Sequence, residues 1–185
     1  MRLLLLTPRN SLVPWQGKLG VPLVSNQIKF NIFDRKAEKS GLIALCKEMG
    51  VTCLAYEPLE GGLLSGKYHN GQHVDGPTPT ARYSPEELLA KRPIVNLCRL
   101  LGTFDGGKTT SQVALNYIIA KGVVPIPGIK NVAQARELLG ACGWRLTTND
   151  VELIDERVDY FDKQNSALSG LPDLSGIFGK GGGGD

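Results

Sequence analysis

The sequence predicts an α/β fold in which parallel strands alternate with helices. Three observations predict it. Short apolar runs recur between segments with helical periodicity, in the order strand–helix, strand–helices, strand–helix. The connections between the runs are long enough for right-handed crossovers, the arrangement that parallel pairing requires. Only about three strands are legible, and a closed eight-stranded barrel takes at least about 200 residues. The pattern therefore describes an incomplete α/β unit.

The elements follow in order. Residues 1–20 show neither periodicity and carry Pro8, Pro14, Gly17 and Gly20, which predicts a loose head. Leu23-Val24-Ser25-Asn26-Gln27 is predicted as a buried strand. A helix is expected over 37–49, with Leu42, Leu45, Cys46 and Met49 on one face and Gly50 closing it. Val51–Tyr56 is the next strand, ended by Pro58, and 57–83 is a long loop rich in Gly and Pro. Ser84-Pro85-Glu86-Glu87 is a helix start: a capping hydroxyl, Pro at the first position, then acids. It predicts a helix over 85–91 and a second from Pro93 to about 104.

Another helix opens near Thr109-Thr110-Ser111, buries Val113, Ala114, Tyr117 and Ile118, and ends at Gly122. Val123-Val124-Pro125-Ile126 is a strand, and Asn131 caps a helix to about Gly140. Thr148-Asn149-Asp150 caps a last helix with Val151, Ile154, Val158 and Phe161 inward. From 164 onward the chain holds Gly170, Pro172, Gly176 and Gly181–Gly184, which predicts a flexible tail. The predicted organisation is a head over 1–20, a structured unit over 21–163 and a tail over 164–185.

Composition narrows the function classes. With 185 residues, 42% hydrophobic and 21% charged, the chain reads as a soluble globular unit. Its net charge of +3 comes without a basic run, which argues against nucleic acid, and the slight positive balance suits an anionic small ligand. No apolar run approaches the ~20 residues of a membrane span. Leu3–Leu6 is shorter than the ~7–15 apolar residues of a secretion signal. The spacing of Cys46, Cys53, Cys98 and Cys142 fits buried, reduced thiols of an intracellular protein.

Specific stretches then carry a resemblance. Pro22–Gln27 resembles the sixth-strand motif of the aldo-keto reductases. Ala55-Tyr56-Glu57-Pro58-Leu59 with Gly61-Gly62-Leu63-Leu64-Ser65-Gly66-Lys67-Tyr68 resembles their seventh strand and following loop. Thr110–Tyr117 is similar to their seventh helix, and Val124-Pro125-Ile126-Pro127-Gly128-Ile129-Lys130-Asn131 to their eighth strand and cofactor loop. Leu139–Thr147 resembles the closing segment of plant plastid members such as pyridoxal reductase. The stretches span about 21–160 in family order. The resemblance implies the C-terminal half of a (β/α)8 barrel.

The resemblance also implies a cofactor, NADP(H), and residues that would hold it. Ligands of such barrels bind at the C-terminal ends of strands, with phosphate after strands seven and eight near a helix N-terminus. Gly128 would let backbone approach the ligand, with Ile129 beside it, and Lys130 would meet the 2′-phosphate. Tyr56 would stack on the nicotinamide and Gln27 would hold its carboxamide. Gly62, Leu63 and Leu64 would form the loop folding over the pyrophosphate, and Pro58 and Leu59 would also be cofactor-binding. Gln134 and Glu137 would touch the adenosine end. Relatives commonly carry Asn where this chain has Leu138.

Other constellations lack the context their chemistry needs. His69 and His73 flank a turn rather than sharing a helix face, which argues against a metal site. Gly102-Thr103-Phe104-Asp105-Gly106-Gly107-Lys108-Thr109 fits the spacing of a phosphate loop but follows a helix. Asp34, Glu38, Asp75 and Asp105 form no recognisable acid–base pair. In the family, a Tyr tuned by Lys, Asp and His protonates the alkoxide formed when NADPH reduces an aldehyde or ketone. Those four lie on strands two to four, before the stretch that this sequence matches. No catalytic residue is assigned here, because Tyr68, Tyr83 and Tyr117 match other places. Three readings follow: an NADPH-dependent reductase of a small carbonyl substrate represented by its cofactor half, a non-catalytic NADP(H)-binding module, or a degenerate product with no activity. A half-barrel also leaves strand edges unpaired, which predicts a homo-oligomer or a complementing half.

Overall fold

A computed structural model describes residues 3–5, 23–67 and 83–169. Its sheet contains β1 (Leu3–Leu5), β2 (Ser25–Lys29), β3 (Thr52–Tyr56) and β4 (Val124–Pro125), in the spatial order β1-β2-β3-β4. All pairings are parallel: Leu3 opposes Ser25, Ser25 opposes Thr52, and Leu54 opposes Val124. Sequential parallel neighbours joined by helical crossovers make a segment of a barrel wall. β1 falls inside the predicted loose head. Three residues show no periodicity by themselves, and parallel pairing to β2 supplies the bonds that define them as a strand. The rest of the head, and the tail beyond 169, lie outside the described residues.

Burial alternates along the strands. Asn26 and Ile28 on β2, and Cys53 and Ala55 on β3, are buried. Their neighbours Ser25, Gln27, Lys29, Leu54 and Tyr56 are half-buried on the opposite face. β2 sits two residues later than predicted. Lys29 and the buried Phe30 and Ile32 beyond it belong to the ordered stretch, whereas Val24 is 51% exposed.

The helices cover the buried face. The expected helix over 37–49 divides into α1 (Lys36–Lys39) and α2 (Leu42–Glu48). Gly41, at φ 76°, takes a left-handed conformation that interrupts the ladder. α3 runs unbroken from Pro85 to Phe104 with Pro93 inside it, where the sequence predicted two helices. Pro93 costs one backbone bond, and Leu88, Ile94, Val95, Cys98 and Leu101 anchor the helix to the core on both sides of it. Ser84 caps α3 as predicted, in a reciprocal box with Glu87.

Thr109 caps α4 (Thr110–Ala120) through a second box with Gln112. The candidate phosphate loop dissolves here. Gly102–Phe104 is helical, Lys108 N–H bonds to the Gly102 carbonyl at 2.7 Å, and a Cβ at Gly102 would collide with the Lys108 carbonyl. β4 is shorter than predicted because Pro125 and Pro127 lack N–H donors, although Ile126 N–H still reaches the Ala55 carbonyl at 2.9 Å.

Asn131 caps α5 (Val132–Leu139) as expected. The last helix, α6 (Thr148–Ser169), is capped by Thr147 rather than Thr148, through a box with Asp150, and it extends past the predicted end at 163. Ile154 and Val158 are buried under it, with Val151 and Phe161 at the margin. The fully buried Asn116 fastens the segment before α6. It donates to the Ala141 and Trp144 carbonyls and accepts from Leu146 N–H. A belt of ion pairs (Arg35 with Asp155 and Asp159, Lys121 with Glu38 and Asp155) ties α1, α4 and α6 together.

Cys46, Cys53 and Cys98 are buried and Cys142 is exposed, all as free thiols. Burial pushes the Cys53 and Cys98 thiols up to about 12.

Candidate functional site

A cavity of about 510 Å³ opens beyond the C-terminal ends of β3 and β4. One wall is the segment after β3. There a 3₁₀ turn over Glu60–Ser65 contains Gly61 and Gly62 at φ 62° and 91°. Glu57 and Glu60 also adopt positive φ, 51° and 47°. Such conformations cost a non-glycine residue on the order of 1–3 kcal/mol. Glu57 additionally precedes Pro58, a context that favours extended backbone. Gly66, at φ 75°, approaches α4 so closely that a Cβ there would stand 2.9 Å from Thr110 Oγ1.

The other wall is the β4–α5 loop and the first turns of α5. The Gln134 side chain accepts from Lys130 N–H at 2.8 Å and so shapes the loop. The Glu137 carboxylate accepts from the Thr109 hydroxyl at 3.2 Å, and its carbonyl accepts from Gln112 Nε2 at 2.8 Å. The N-cap of α4 therefore orients a residue of α5. Gly128 has open space where a Cβ would point, so a side chain there would stand free of neighbours. Lys67 and Lys130, both exposed, line the cavity from opposite walls, and Ser65 and Ser111 add hydroxyls. Two ammonium groups and the hydroxyls, beside the first turn of α5 where Gln134 enters the lining, form a donor set suited to phosphate oxygens.

Of the residues proposed from sequence, Pro58, Leu59, Gly62, Gly128, Ile129, Lys130, Gln134 and Glu137 line this cavity. Gln27 and Tyr56 do not. They lie on the half-buried face of the sheet, where Lys29 opposes Tyr56 and Gln27 opposes Leu54, and Tyr56 adjoins the first lining residue, Glu57. Leu63 does not line it either. The tight turn points Leu63 and Leu64 into the core, at 3% and 0% exposure. Leu138 reaches the cavity wall but is a core residue, packed with Leu115 and Ala141.

Lys67 and Ser111 lie within the motif stretches, and only the fold brings both to one cavity. His69, His73, Asp75 and Tyr68 lie outside the described residues. Among the described residues no group of three or more His, Cys, Asp and Glu could hold a metal ion, and no helix is long and apolar enough to cross a membrane.

Behind the first wall lies a buried polar cluster. Asn31, fully buried, donates to the Glu57 carbonyl at 2.9 Å and to Glu60 Oε2 at 2.6 Å, and accepts from the N–H groups of Phe33 and Asp34. Tyr83 donates to Glu60 Oε1. Lys29 pairs with Asp34, Glu57 and Glu60. Burial alone would lower the Lys29 pKa, but these carboxylates outweigh it and raise it. Burial lowers the Lys91 pKa; its ammonium sits 4.3 Å from the Phe33 ring centre and near the Tyr83 and Phe161 rings.

The model of the aldo/keto reductase family matches residues 11–159. The chain belongs to the aldo-keto reductases. The match begins inside the head that the sequence reading left out of the family unit. Pyridoxal reductase of Arabidopsis thaliana, a chloroplastic protein, is 37% identical over 151 residues, 79% of this chain and 38% of that one. The aldo-keto reductase yakc [NADP(+)] of Schizosaccharomyces pombe is 28% identical over 145 residues, 75% of this chain and 42% of that one.

The solved structure of the glycerol dehydrogenase AKR11B4 from Gluconobacter oxydans superposes with a TM-score of 0.72 at 19% identity, covering 85% of this chain and 48% of that one. The fold is thus that of about half an aldo-keto reductase barrel. The chain spans less than half the length of these relatives. The family is one of oxidoreductases, and its curated relatives include reductases.

Proposed function

We propose that the cavity binds NADP(H), and that this chain supplies the cofactor half of an NADPH-dependent reductase of aldehydes or ketones. The observation that carries the reading is the convergence of Lys67, Lys130, the glycine-rich 3₁₀ turn and the N-terminus of α5 on one cavity at the strand ends. Lys130 and the α5 N–H groups would take the 2′-phosphate, and Lys67 with Gly61 and Gly62 the pyrophosphate. Gln134 and Glu137 would border the adenosine, with Leu138 as an apolar support. Tyr56 and Gln27, on the adjoining sheet face, would meet the nicotinamide. NADPH, when bound, supplies a hydride for a carbonyl carbon.

Among the described residues, the ionisable ones that line the cavity are Glu57, Lys67, Lys130 and Glu137. A second reading for the chain by itself is a non-catalytic NADP(H)-binding module that joins a second copy or a complementing half, in keeping with its spanning less than half the length of the relatives above. Cytoplasm or chloroplast is the proposed setting.

Fluorescence titration tests this. NADPH is expected to bind saturably and more tightly than NADH. Lys130→Ala is expected to cost about tenfold for NADPH with little change for NADH, the size expected of one charge-assisted phosphate contact. Equal affinity for the two cofactors would contradict the placement of the 2′-phosphate. Steady NADPH oxidation by the pure chain with any aldehyde would contradict the non-catalytic reading.

A further inference from the structure

We infer that Glu60 is a positioning residue: its buried carboxylate, latched by Tyr83, Asn31 and Lys29, holds the strained wall of the cavity in its ligand-ready shape. The inference rests on the nucleotide reading of the cavity and adds to it residues that touch no ligand. It starts from the backbone. Glu57 and Glu60 are the non-glycine residues with positive φ among the described residues, and they bracket Pro58 and Leu59, which face the cavity. Non-glycine residues persist in such conformations only where their surroundings over-determine them. A glycine at position 60 would adopt φ 47° without strain, and glycines do stand at 61 and 62. The side chain of Glu60 is therefore kept for what it contacts.

Those contacts over-determine both strained residues together. The Glu60 side chain is 6% exposed. One oxygen accepts from the Tyr83 hydroxyl. The other accepts from Asn31 Nδ2 at 2.6 Å and faces Lys29 Nζ at 3.6 Å. The same Asn31 amide also donates to the Glu57 carbonyl, and the same ammonium lies 3.3 Å from the Glu57 carboxylate. The end of β2 thus grips both strained positions at once, while Tyr83 connects Glu60 to the residue that caps α3. Asn31 cannot swing away, because two backbone N–H groups hold its oxygen at 2.9 Å. Leu59 and Gly61 line the cavity on either side of Glu60, whose own carboxylate points back into the cluster. Its effect on a ligand passes through the shape of its neighbours.

The test uses two probes that read different walls. NADP+ spans both walls, whereas 2′-AMP carries no pyrophosphate and engages only the Lys130–Gln134–Glu137 side. Calorimetric titration of the wild-type chain, Glu60→Ala, Glu60→Gln and Tyr83→Phe is expected to separate them. Glu60→Ala should weaken NADP+ by at least about fivefold and leave 2′-AMP within about twofold, the scale expected when buried partners lose their acceptor. Glu60→Gln, which can still bond both Tyr83 and Asn31, should recover most of the loss, and Tyr83→Phe should fall between.

Equal weakening of both probes would overturn the positioning role in favour of a general structural one. Unchanged NADP+ affinity in Glu60→Ala, with wild type binding both probes, would overturn this inference alone. A wild-type chain that binds neither probe would overturn the nucleotide reading as well. Should Glu60→Ala fail to fold, Tyr83→Phe and Glu60→Gln carry the same comparison.

Discussion

The two faces of the sheet are built for different purposes. On the helix side, Ile28, Cys53 and Ala55 are at most 4% exposed and join Phe30, Val113, Tyr117, Ile118 and Ile154 in one continuous core. On the other side, Ser25, Gln27, Lys29, Leu54 and Tyr56 are half-buried, and Val124 and Ile126 are 46% and 39% exposed. A parallel sheet covered on both faces reads as unbroken apolar runs. Here β2 and β3 alternate instead. The helix face secures the fold, whereas the open face and the loops beyond it carry the polar and aromatic groups that the proposed function draws on.

Substitutions on the two faces should separate sharply. Phe30→Ala empties a fully buried site beside Tyr117, whose ring centre is 6.3 Å away. It is expected to cost ~3–5 kcal/mol in urea unfolding. Leu54→Ala on the open face should cost under about 1.5 kcal/mol, because its side chain already meets solvent. Comparable losses would show that the open face is covered in solution.

Asn116→Ala comes next. It deletes three hydrogen bonds within the helix layer and strands the Leu146 N–H in a buried setting. A loss of ~2–3 kcal/mol is expected, with faster amide exchange over 141–146.

The thiols sharpen the comparison through pH. Cys53 and Cys98, on the closed side, have folded pKa values of about 12, above the ordinary thiol value of about 8.5. A raised folded pKa gives stability that is complete below the unfolded value and is lost as pH climbs toward the folded one. Stability should therefore fall from about pH 8.5 up to about pH 12, with a shallower fall in Cys98→Ala. Exposed Cys142 should react with a thiol reagent in the native protein well before the three buried cysteines.

Asp159→Asn should show the smallest effect. The hydrogen bond from Lys39 holds the Asp159 pKa below the usual carboxylate range, so its contribution is present above the unfolded value and disappears as pH falls. The pair is 49% and 42% exposed, and solvent screening limits the change to under about 0.5 kcal/mol.

What the sequence revealed was mostly local. The Ser84–Glu87 and Thr109–Gln112 boxes and the Asn131 cap are set by residues three apart, and the inward stripe of Ile154 and Val158 follows the helical period. β1 escaped because its three residues depend on a partner some twenty positions away. Pro93 was read as a break because the packing that holds its helix together is not local. The positive φ of Glu57 runs against the rule for a residue before proline, and the contacts that hold it include Asn31 and Lys29, 26 and 28 positions earlier. The cavity was half legible: its glycines and Lys130 lie in motif stretches, while the roles of Lys67, Ser111 and the Glu60 latch appear only once the segments meet.

The central claim is that the groups at the strand ends form one NADP(H) site. Amide chemical shifts recorded while NADP+ is added test it most directly. The account predicts saturable shifts at Gly61, Gly62, Gly128, Ile129 and Lys130, with the core amides of α4 and α6 nearly still. No shift at saturating NADP+, or shifts confined to residues away from both walls, would contradict it.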